Sequence, residues 1–446
     1  MNQWQDAERH FERALDLVRQ RKWPSALAEM RRATRVNPFN AAWQTHLGII
    51  LDEMGRHEEA LKAYRRASRI EPDNPHIRER LAIDLHRTGR LRQSLRVLEA
   101  ISEADPAHEA AYCQRLLVHA DLGEHEKAEE MFYIARLYKE QCPRCFDHMG
   151  RSLAARGLHQ RAIYCFQRCL DLDNNWPEAW RRLAESLHKS GDREHARRHY
   201  LADLRQNPGR VQSLLELGDL LMEMGRFEEA GEKYRRCIEQ APENAEGYLR
   251  WARWLARCRK PSDAKAALEQ SLRRNPALRG AHLELARLAL SRGDKAEARK
   301  QLKAEHLVCG DESHTLLGLA NLWMDCGENR TAAACLKRLT DLSPDNRDAW
   351  LNLAVAQFRR KQYQNGIRSC TKALELDPNH RLAMYNLAVA YERMGRYDLA
   401  LEWTRRALKL QSRDSALQRL ELRLRVLSWV KSLRVFNWVF ARRRGT

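Results

Sequence analysis

The chain has 446 residues, with 79 Lys or Arg, 60 Asp or Glu and a formal net charge of +19 at pH 7. It contains no run of about 20 apolar residues, and its first residues, MNQWQDAERHFERALD, lack the apolar core of a secretory signal. These observations argue against a membrane-spanning or secreted protein. The eleven cysteines are scattered and odd in number, which suits a reducing compartment, so we expect a cytoplasmic protein.

After a lead-in of residues 1–6, three columns of residues recur every 34 positions as far as residue 414. One column is made of small residues, a second, twelve positions later, is mostly proline, and a third is again mostly small. The pentapeptide NLAVA, at 352–356 and again at 386–390, belongs to this pattern. The first column consists of Ala26, Ala60, Ser94, Ala128, Ala162, Ala196, Ala230, Ala264, Ala298, Ala332, Gly366 and Ala400. A fixed period of this length indicates stacked structural repeats.

Each 34-residue unit contains two helical stretches separated by a polar break, and the pattern therefore predicts a helical hairpin. Small residues at one point of each helix allow two backbones to approach closely. Proline after the second stretch ends that helix, because it lacks an amide hydrogen and disfavours helix in the residue before it. Glycines such as Gly55 in DEMGR and Gly395 in ERMGR fall between the two stretches, where we expect turns.

These units resemble the tetratricopeptide repeat family over residues 7–414. The family pattern has an aromatic residue, a leucine and a small residue on the first helix, then small residues and an aromatic on the second, then proline. One matching set is Trp350, Leu353, Ala354, Gly366, Ala373 and Pro378, and another is Trp180, Leu183, Ala184, Ala196, Tyr200 and Pro208. A further column of small residues, which includes Ala373, lies near the end of the second helix, and we call it the late small column. Three departures from it, Asp203, Glu305 and Leu339, leave the packing of their repeats open.

The resemblance implies an all-α fold, a right-handed α-solenoid of twelve helix-turn-helix units, with a further helix capping the last unit. It also implies that Trp180 and Trp350 are packing residues rather than platforms for nucleic-acid bases. In the family, the first helices line a concave groove that receives peptides or partner helices. We therefore expect protein partners to bind there.

The sequence contains no glycine-rich phosphate loop, HExxH zinc pair or GxSxG nucleophile motif. We therefore expect no enzyme activity and no cofactor. The one suggestive cluster is Cys142 and Cys145, followed by His148, with Cys165 and Cys169 on the second helix of the same unit, where antiparallel pairing could bring Cys145 near Cys169. A lone CxxC pair lacks the four ligands of structural zinc. Small buried cysteines are the favoured interpretation and a metal or redox role is the alternative.

One column of the first helices supplies candidate partner-binding residues. Its members are apolar in the early and late units and charged in the middle: Leu15, Ile49, Ile83, Leu117, Arg151, Glu185, Asp219, Arg253, Arg287, Asn321, Val355 and Val389. The early units suit an apolar peptide face. Arg250, Arg253 and Arg257 lie on one helical face with Arg287 in the next unit, and this group suits a carboxylate-rich segment. The alternative is that solvated groove residues simply vary freely.

Family members that clamp a chaperone's terminal carboxylate combine asparagines with basic residues. Asn321, Asn352 and Asn386 match the asparagines, but Leu317 and Leu382 stand where positive charge is needed. We therefore do not expect a chaperone-tail clamp.

Residues 415–446 predict a capping helix that continues into a basic, apolar tail. From residue 413 onward the chain has nine Lys or Arg against Asp414 and Glu421, a local charge of +7. An apolar stripe runs through Leu422, Val426, Trp429, Leu433, Phe436 and Phe440. Simple capping, association with a partner or a second copy, and contact with a membrane surface all remain open for this segment.

The sequence thus favours a non-enzymatic scaffold or adaptor. The alternative is a targeting or regulatory subunit that brings a partner to an acidic surface, such as a nucleic acid or an anionic membrane, through its basic carboxy-terminal end. Specific nucleic-acid binding is disfavoured, because no recognised nucleic-acid module is present and basic residues are interleaved with acids.

Overall fold

The computed structural model describes the backbone of residues 2–443 and the side chains of residues 4–431, and this part of the chain forms 25 helices without any strand. Twelve of them are the first helices of successive pairs: α1 (Asn2–Arg19), α3 (Ala41–Glu53), α5 (Pro75–Arg87), α7 (Glu109–Asp121), α9 (Pro143–Ala155), α11 (Ala179–Lys189), α13 (Val211–Glu223), α15 (Ala245–Arg257), α17 (Ala281–Ser291), α19 (Ser313–Asp325), α21 (Arg347–Arg359) and α23 (Arg381–Arg393).

The second helices are α2 (Trp23–Val36), α4 (His57–Ile70), α6 (Leu91–Ala104), α8 (His125–Tyr138), α10 (His159–Leu172), α12 (Arg193–Gln206), α14 (Phe227–Gln240), α16 (Pro261–Arg274), α18 (Lys295–Val308), α20 (Asn329–Leu342), α22 (Tyr363–Leu376) and α24 (Tyr397–Leu410). The last helix is α25 (Ser415–Arg443). The twelve predicted helix-turn-helix units are therefore confirmed. The chain divides into two compact units, unit 1 (Met1–Arg226) and unit 2 (Phe227–Thr446), which are described separately below.

The small-residue columns lie where helices approach each other most closely. The alanines of the first column, from Ala26 to Ala400, are all 0% exposed. In the third column, a Cβ added at Gly48 would lie 2.5 Å from the ring of Tyr64, and one added at Gly150 would lie 2.7 Å from the ring of Phe166. A larger residue at these points would push the second helix away. Overpacking of such sites costs ~1–3 kcal/mol.

The turn between the two helices of a pair needs a residue with positive φ. Glycine supplies it in most pairs, for example Gly55 with φ 72° and Gly395 with φ 69°. In three pairs the same repeat position holds Arg21, Arg259 or Lys361, with φ between 56° and 61°. The left-handed conformation costs a residue with a Cβ ~1–2 kcal/mol, so these three turns are strained.

The predicted departures in the late small column are well packed. Leu339 is 0% exposed within the core. Asp203 is 1% exposed and accepts hydrogen bonds from Ser213 and Arg210. Glu305 is 0% exposed and accepts from the backbone N–H groups of residues 280 and 283, at 2.7 and 3.1 Å, at the start of α17. The two buried acids therefore replace small residues with hydrogen bonds that tie consecutive pairs together.

The two predicted packing tryptophans are half-buried. Each indole N–H donates to a backbone carbonyl in the preceding loop, Trp180 to Asn174 at 3.0 Å and Trp350 to Pro344 at 2.8 Å. Trp350 also packs against the apolar core of its unit. Both residues therefore link a first helix to the end of the pair before it.

The last helix, α25, packs on the final pair through one face. Leu417, Leu420 and Leu424 are at most 4% exposed and contact residues of α23 and α24. The predicted apolar stripe is on another face, because Leu422, Val426 and Trp429 are 54–67% exposed. The stripe's remaining members, Leu433, Phe436 and Phe440, lie outside the residues whose side chains are described. None of the described helices combines the length and apolarity needed to span a lipid bilayer.

We expect Lys361→Gly to stabilise the protein by about 0.5–1 kcal/mol, because relief of the left-handed strain outweighs the extra flexibility of glycine in the unfolded chain. Gln362→Gly is the control, since Gln362 has φ −86° and gains nothing from glycine. Urea unfolding followed by circular dichroism measures both. Destabilisation of equal size by the two variants would show that the turn is not strained.

Candidate functional site

The first helices of each unit form a layer of their own. Contacts join α5, α7, α9, α11 and α13 in succession within unit 1, and α17, α19, α21 and α23 within unit 2. Every predicted partner-binding residue lies on a first helix. We therefore asked how much of each predicted residue is exposed on this layer, where a partner would contact it.

In unit 1 the apolar members of the predicted column offer a ligand little surface. Ile49 and Ile83 are half-buried, and Ile49 packs on the core. Leu117 is only 7% exposed. Ile49 and Leu117 are therefore mainly packing residues, and Ile83 is only partly accessible.

Charged members of the column come together in a cavity between α9, α10 and α11. Arg151 and Glu185 line it with Arg181, Arg182 and Lys189. Arg181 pairs with Glu185 at 3.2 Å and reaches Glu216 of α13 at 3.1 Å. Asp219, also on α13, is half-buried. Arg181 and Arg182 also pair with Glu178, so the four cations of this cavity are matched by the carboxylates of Glu178, Glu185, Glu216 and Asp147.

A buried ion pair lies below this cavity. Arg182 donates to Asp147 at 2.6 Å, and Asp147 is 4% exposed. Burial raises the pKa of Asp147, whereas the guanidinium of Arg182 opposes that rise. The pair joins α11 to α9 and holds the Arg182 side chain at the cavity wall.

In unit 2 four arginines form what we call the basic surface: Arg250, Arg253, Arg257 and Arg287. The first three share one face of α15, at spacings of three and four residues. Arg253, Arg257 and Arg287 are exposed, while Arg250 is half-buried and pairs with Glu246 at 2.5 Å.

Glu284 holds two members of the basic surface side by side. Its carboxylate lies 3.0 Å from Arg253 Nε and 3.1 Å from Arg287 Nη1, and its own side chain is 12% exposed. The ion pairs therefore link α15 to α17. Arg257 makes no ion pair within the described residues. Arg253, Arg257 and Arg287 have one glutamate, Glu284, among them within the described residues, so this part of the basic surface keeps a positive excess.

The late members of the column are used within the protein. Asn352 donates an amide hydrogen to Asn321 Oδ1 at 3.1 Å, so the two asparagines pair across α19 and α21. Val355 and Val389 pack against core clusters. The asparagine pair is therefore engaged within the protein.

A buried acidic pair in unit 1 was not predicted. Asp84 on α5 is 0% exposed, and neither of its oxygens accepts a hydrogen bond among the described residues. Arg87 and His57 approach it only to 3.7 and 3.9 Å. Burial, with the neighbouring carboxyl of Asp52, raises the pKa of Asp84 to about 8. One signal was available: most other units have an apolar residue at this repeat position, such as Ile50 and Val118.

The cysteine pattern differs from the prediction. Cys145 forms a disulfide with Cys113 of α7, with Cα atoms 5.3 Å apart, whereas Cys169 is a free buried cysteine. The favoured interpretation of small buried cysteines therefore holds for Cys142, Cys165 and Cys169, but Cys145 is bonded to a cysteine outside the predicted cluster. Cys142 is buried beside the disulfide, and burial together with its hydrogen bond to Glu109 raises the pKa of its thiol to about 11. The sequence pattern did not reveal Cys113 and Glu109 as neighbours of Cys145, because they belong to the preceding 34-residue repeat.

Paired helices in twelve successive units, with charged residues displayed on the first helices, define a helical-repeat protein of the kind that binds other proteins. Three family models described as tetratricopeptide repeat match the chain, one at residues 11–75, 181–245 and 249–311, a second at 345–413 and a third at 51–117. Together these segments make up more than half of the chain. The chain belongs to the tetratricopeptide repeat family.

Comparison with curated protein sequences finds no match. Solved structures with a similar arrangement include the APC/C hetero-tetramer Cut9-Hcn1, at 14% identity, 92% coverage of this chain, 95% of that chain and a TM-score of 0.45. Yeast Tom70 has 14% identity, 99% coverage of both chains and a TM-score of 0.44. YrrB, described as a TPR protein with an unusual peptide-binding site, has 19% identity, covers 42% of this chain and 96% of its own, and has a TM-score of 0.38. These similarities are too low to identify a partner.

The buried acid Asp84 makes a pH-dependent prediction. Because its folded pKa is raised to about 8, its contribution to stability is present below the ordinary carboxyl pKa and is lost as pH rises through about 8. We expect Asp84→Asn to be more stable than the wild type at pH 9, by at least ~1 kcal/mol, and nearly equal to it at pH 4.

Thermal unfolding at a series of pH values checks this expectation. Asp73→Asn is the control, since the Asp73 side chain is 97% exposed. An Asp84→Asn advantage that does not grow between pH 5 and pH 9 would contradict the raised pKa.

Proposed function

We propose that this protein is a non-enzymatic scaffold or adaptor that binds a peptide or helix of a partner along its first helices. A chain built from tetratricopeptide repeats is typical of such interaction proteins, and the family matches support this class. The proposed compartment is the cytoplasm. The observation that carries the proposal is the basic surface on α15 and α17.

The basic surface suits an acidic segment. Arg253 and Arg287 both pair with the carboxylate of Glu284, which holds them side by side. Their side chains are 46% and 57% exposed. Guanidinium groups bind carboxylates with paired, charge-assisted hydrogen bonds. Each guanidinium has five N–H donors, so a ligand carboxylate can bind beside Glu284 without displacing it. Arg257, exposed at the end of α15, extends the surface by one more cation.

The cavity of unit 1 supplies a second contact for an acidic ligand. Arg181 is already shared among Glu178, Glu185 and Glu216. Arg151 and Lys189 line the same cavity from α9 and from the end of α11. We propose this cavity as a weaker site, because its arginines are more fully engaged with carboxylates of the protein.

The alternative function, targeting to an acidic surface through the carboxy-terminal end, is favoured by one observation. Leu422, Val426 and Trp429 are more than half exposed on α25, where apolar side chains and cations could meet a membrane or a second chain. The basic residues that this alternative needs most, Arg434 and Arg442 to Arg444, lie outside the described side chains. It therefore stands second to binding by the first helices.

The main proposal is tested by reversing charge on the basic surface. We expect the double variant Arg253→Glu with Arg287→Glu to weaken binding of Asp- and Glu-rich peptides at least tenfold, a loss of ~1.4 kcal/mol or more. Fluorescence anisotropy with a set of labelled acidic peptides measures the affinity, and circular dichroism checks that the fold is intact.

The matched control reverses two cations on second helices of the same unit, Arg235→Glu with Lys265→Glu. Each of these pairs with a glutamate four residues away, so the change in net charge and the ion pairs lost are comparable. Equal weakening by the two double variants would indicate diffuse charge attraction. Failure of the wild type to bind any acidic peptide would exclude the acidic partner.

A further inference from the structure

Four potential metal ligands converge between α7 and α9 in unit 1. Glu109 and Cys113 are one helical turn apart on α7, and Cys142 and Cys145 flank the first turn of α9. The three cysteines are at most 4% exposed. One ligand atom from each of the four residues lies within 4.8 Å of the others. The group spans two consecutive repeats.

The disulfide accounts for only part of this group. Oε1 of Glu109 lies 2.7 Å from the sulfur of Cys142, 2.9 Å from that of Cys113 and 3.4 Å from that of Cys145. Sulfurs joined in a disulfide carry no hydrogen, so Cys142 alone can donate a hydrogen bond to the carboxylate. In the reduced form, three weak S–H donors would compete for a single oxygen. In the reduced form, electron-rich atoms of four residues therefore surround one point, and a cation there would bind all four.

The spacing and the atom types fit zinc. Zinc binds thiolate sulfur at ~2.3 Å in a tetrahedron, which places two sulfurs ~3.8 Å apart. The sulfurs of Cys113 and Cys142 are 3.6 Å apart. Three soft thiolates with one carboxylate form a four-coordinate set that zinc accepts.

Burial and Glu109 oppose a negative sulfur at Cys142 until a cation offsets them, but two other contacts stabilise a thiolate and fix the geometry. The backbone N–H of Cys145 donates to the sulfur of Cys142 at 3.4 Å. Both cysteines lie at the amino-terminal end of α9, where the helix dipole stabilises thiolates. His148 donates through Nδ1 to the carbonyl oxygen of Cys113 at 2.9 Å, which ties α9 to α7 beside the site. Such outer contacts orient metal ligands.

We propose that the reduced protein binds one zinc ion through Glu109, Cys113, Cys142 and Cys145, joining two consecutive repeats. A thiol or phosphine reductant first gives two electrons, and two protons are taken up, as the Cys113–Cys145 disulfide opens to two thiols. Zinc then forms three Zn–S bonds and one Zn–O bond, and the three thiol protons are released to solvent. The zinc form and the disulfide form exclude each other. The site revises the expectation of no metal, which rested on an isolated CxxC pair.

The test uses the full-length protein, reduced with a phosphine and freed of metal. Zinc is added, excess metal is removed by gel filtration, and bound zinc is counted by inductively coupled plasma mass spectrometry. We expect one zinc per chain for the wild type, loss of stoichiometric zinc for Cys142→Ser, and at least about tenfold weaker zinc binding for Glu109→Gln in competition with a chromophoric chelator.

Cys165→Ser is the matched control, because Cys165 is a buried cysteine of the neighbouring α10 outside the proposed ligand set. It should keep one zinc per chain. Cobalt added to the reduced wild type gives a readout that needs no variant: sulfur-to-cobalt charge-transfer bands and the intense visible bands of tetrahedral cobalt are expected.

Less than stoichiometric zinc in the reduced wild type would overturn the proposal. So would equal zinc content in the wild type and in folded Cys142→Ser, or a cobalt spectrum without sulfur charge-transfer bands. Loss of zinc in Cys165→Ser, with its fold intact, would assign the metal to a different set of cysteines and would also overturn the proposal.

Discussion

The close approach of helices at the small-residue columns is the constraint on which the other features depend. Alanine or glycine at these points is fully buried, and aromatic rings such as Tyr64 fill the space directly against the missing side chains. Once those positions are set, the hairpin can pack in only one way. The same packing decides which residues of each first helix point outward. Arg253 and Arg257 are exposed because the small-residue column of α15 lies on the packed face of that helix.

Features that repeat every 34 residues were predictable from the sequence. Twelve copies average out local exceptions, so hairpins, turns and buried columns all appear where the period places them. Features that occur once were harder to predict. Asp84 is a fully buried acid at a repeat position that is apolar in most repeats, and the disulfide joins Cys113 to Cys145 across two consecutive 34-residue repeats of unit 1. The buried face of α25 was also missed, because Leu417, Leu420 and Leu424 follow a spacing of three and four just as the exposed stripe does.

The exposure of each residue in the partner-binding column could not be predicted from the repeat period, for a physical reason. Repeat position determines which helix face a residue occupies, but its neighbours determine how much of it solvent can reach. Leu117 is almost fully buried, whereas Arg253 at the corresponding position is exposed. Internal ion pairs cannot be anticipated from the period either. Glu284 engages two of the predicted arginines, so their charge is partly balanced before any ligand binds.

The central claim is that the first helices, and the basic surface on α15 and α17 in particular, receive the partner. Hydrogen–deuterium exchange of the protein with and without a bound acidic peptide tests it most directly, because a ligand suppresses local opening of the helices that it contacts. Slower exchange in α15 and α17, with little change in the second helices α14 and α16, is the result that we predict. Slower exchange confined to the second helices or to α25 would contradict it.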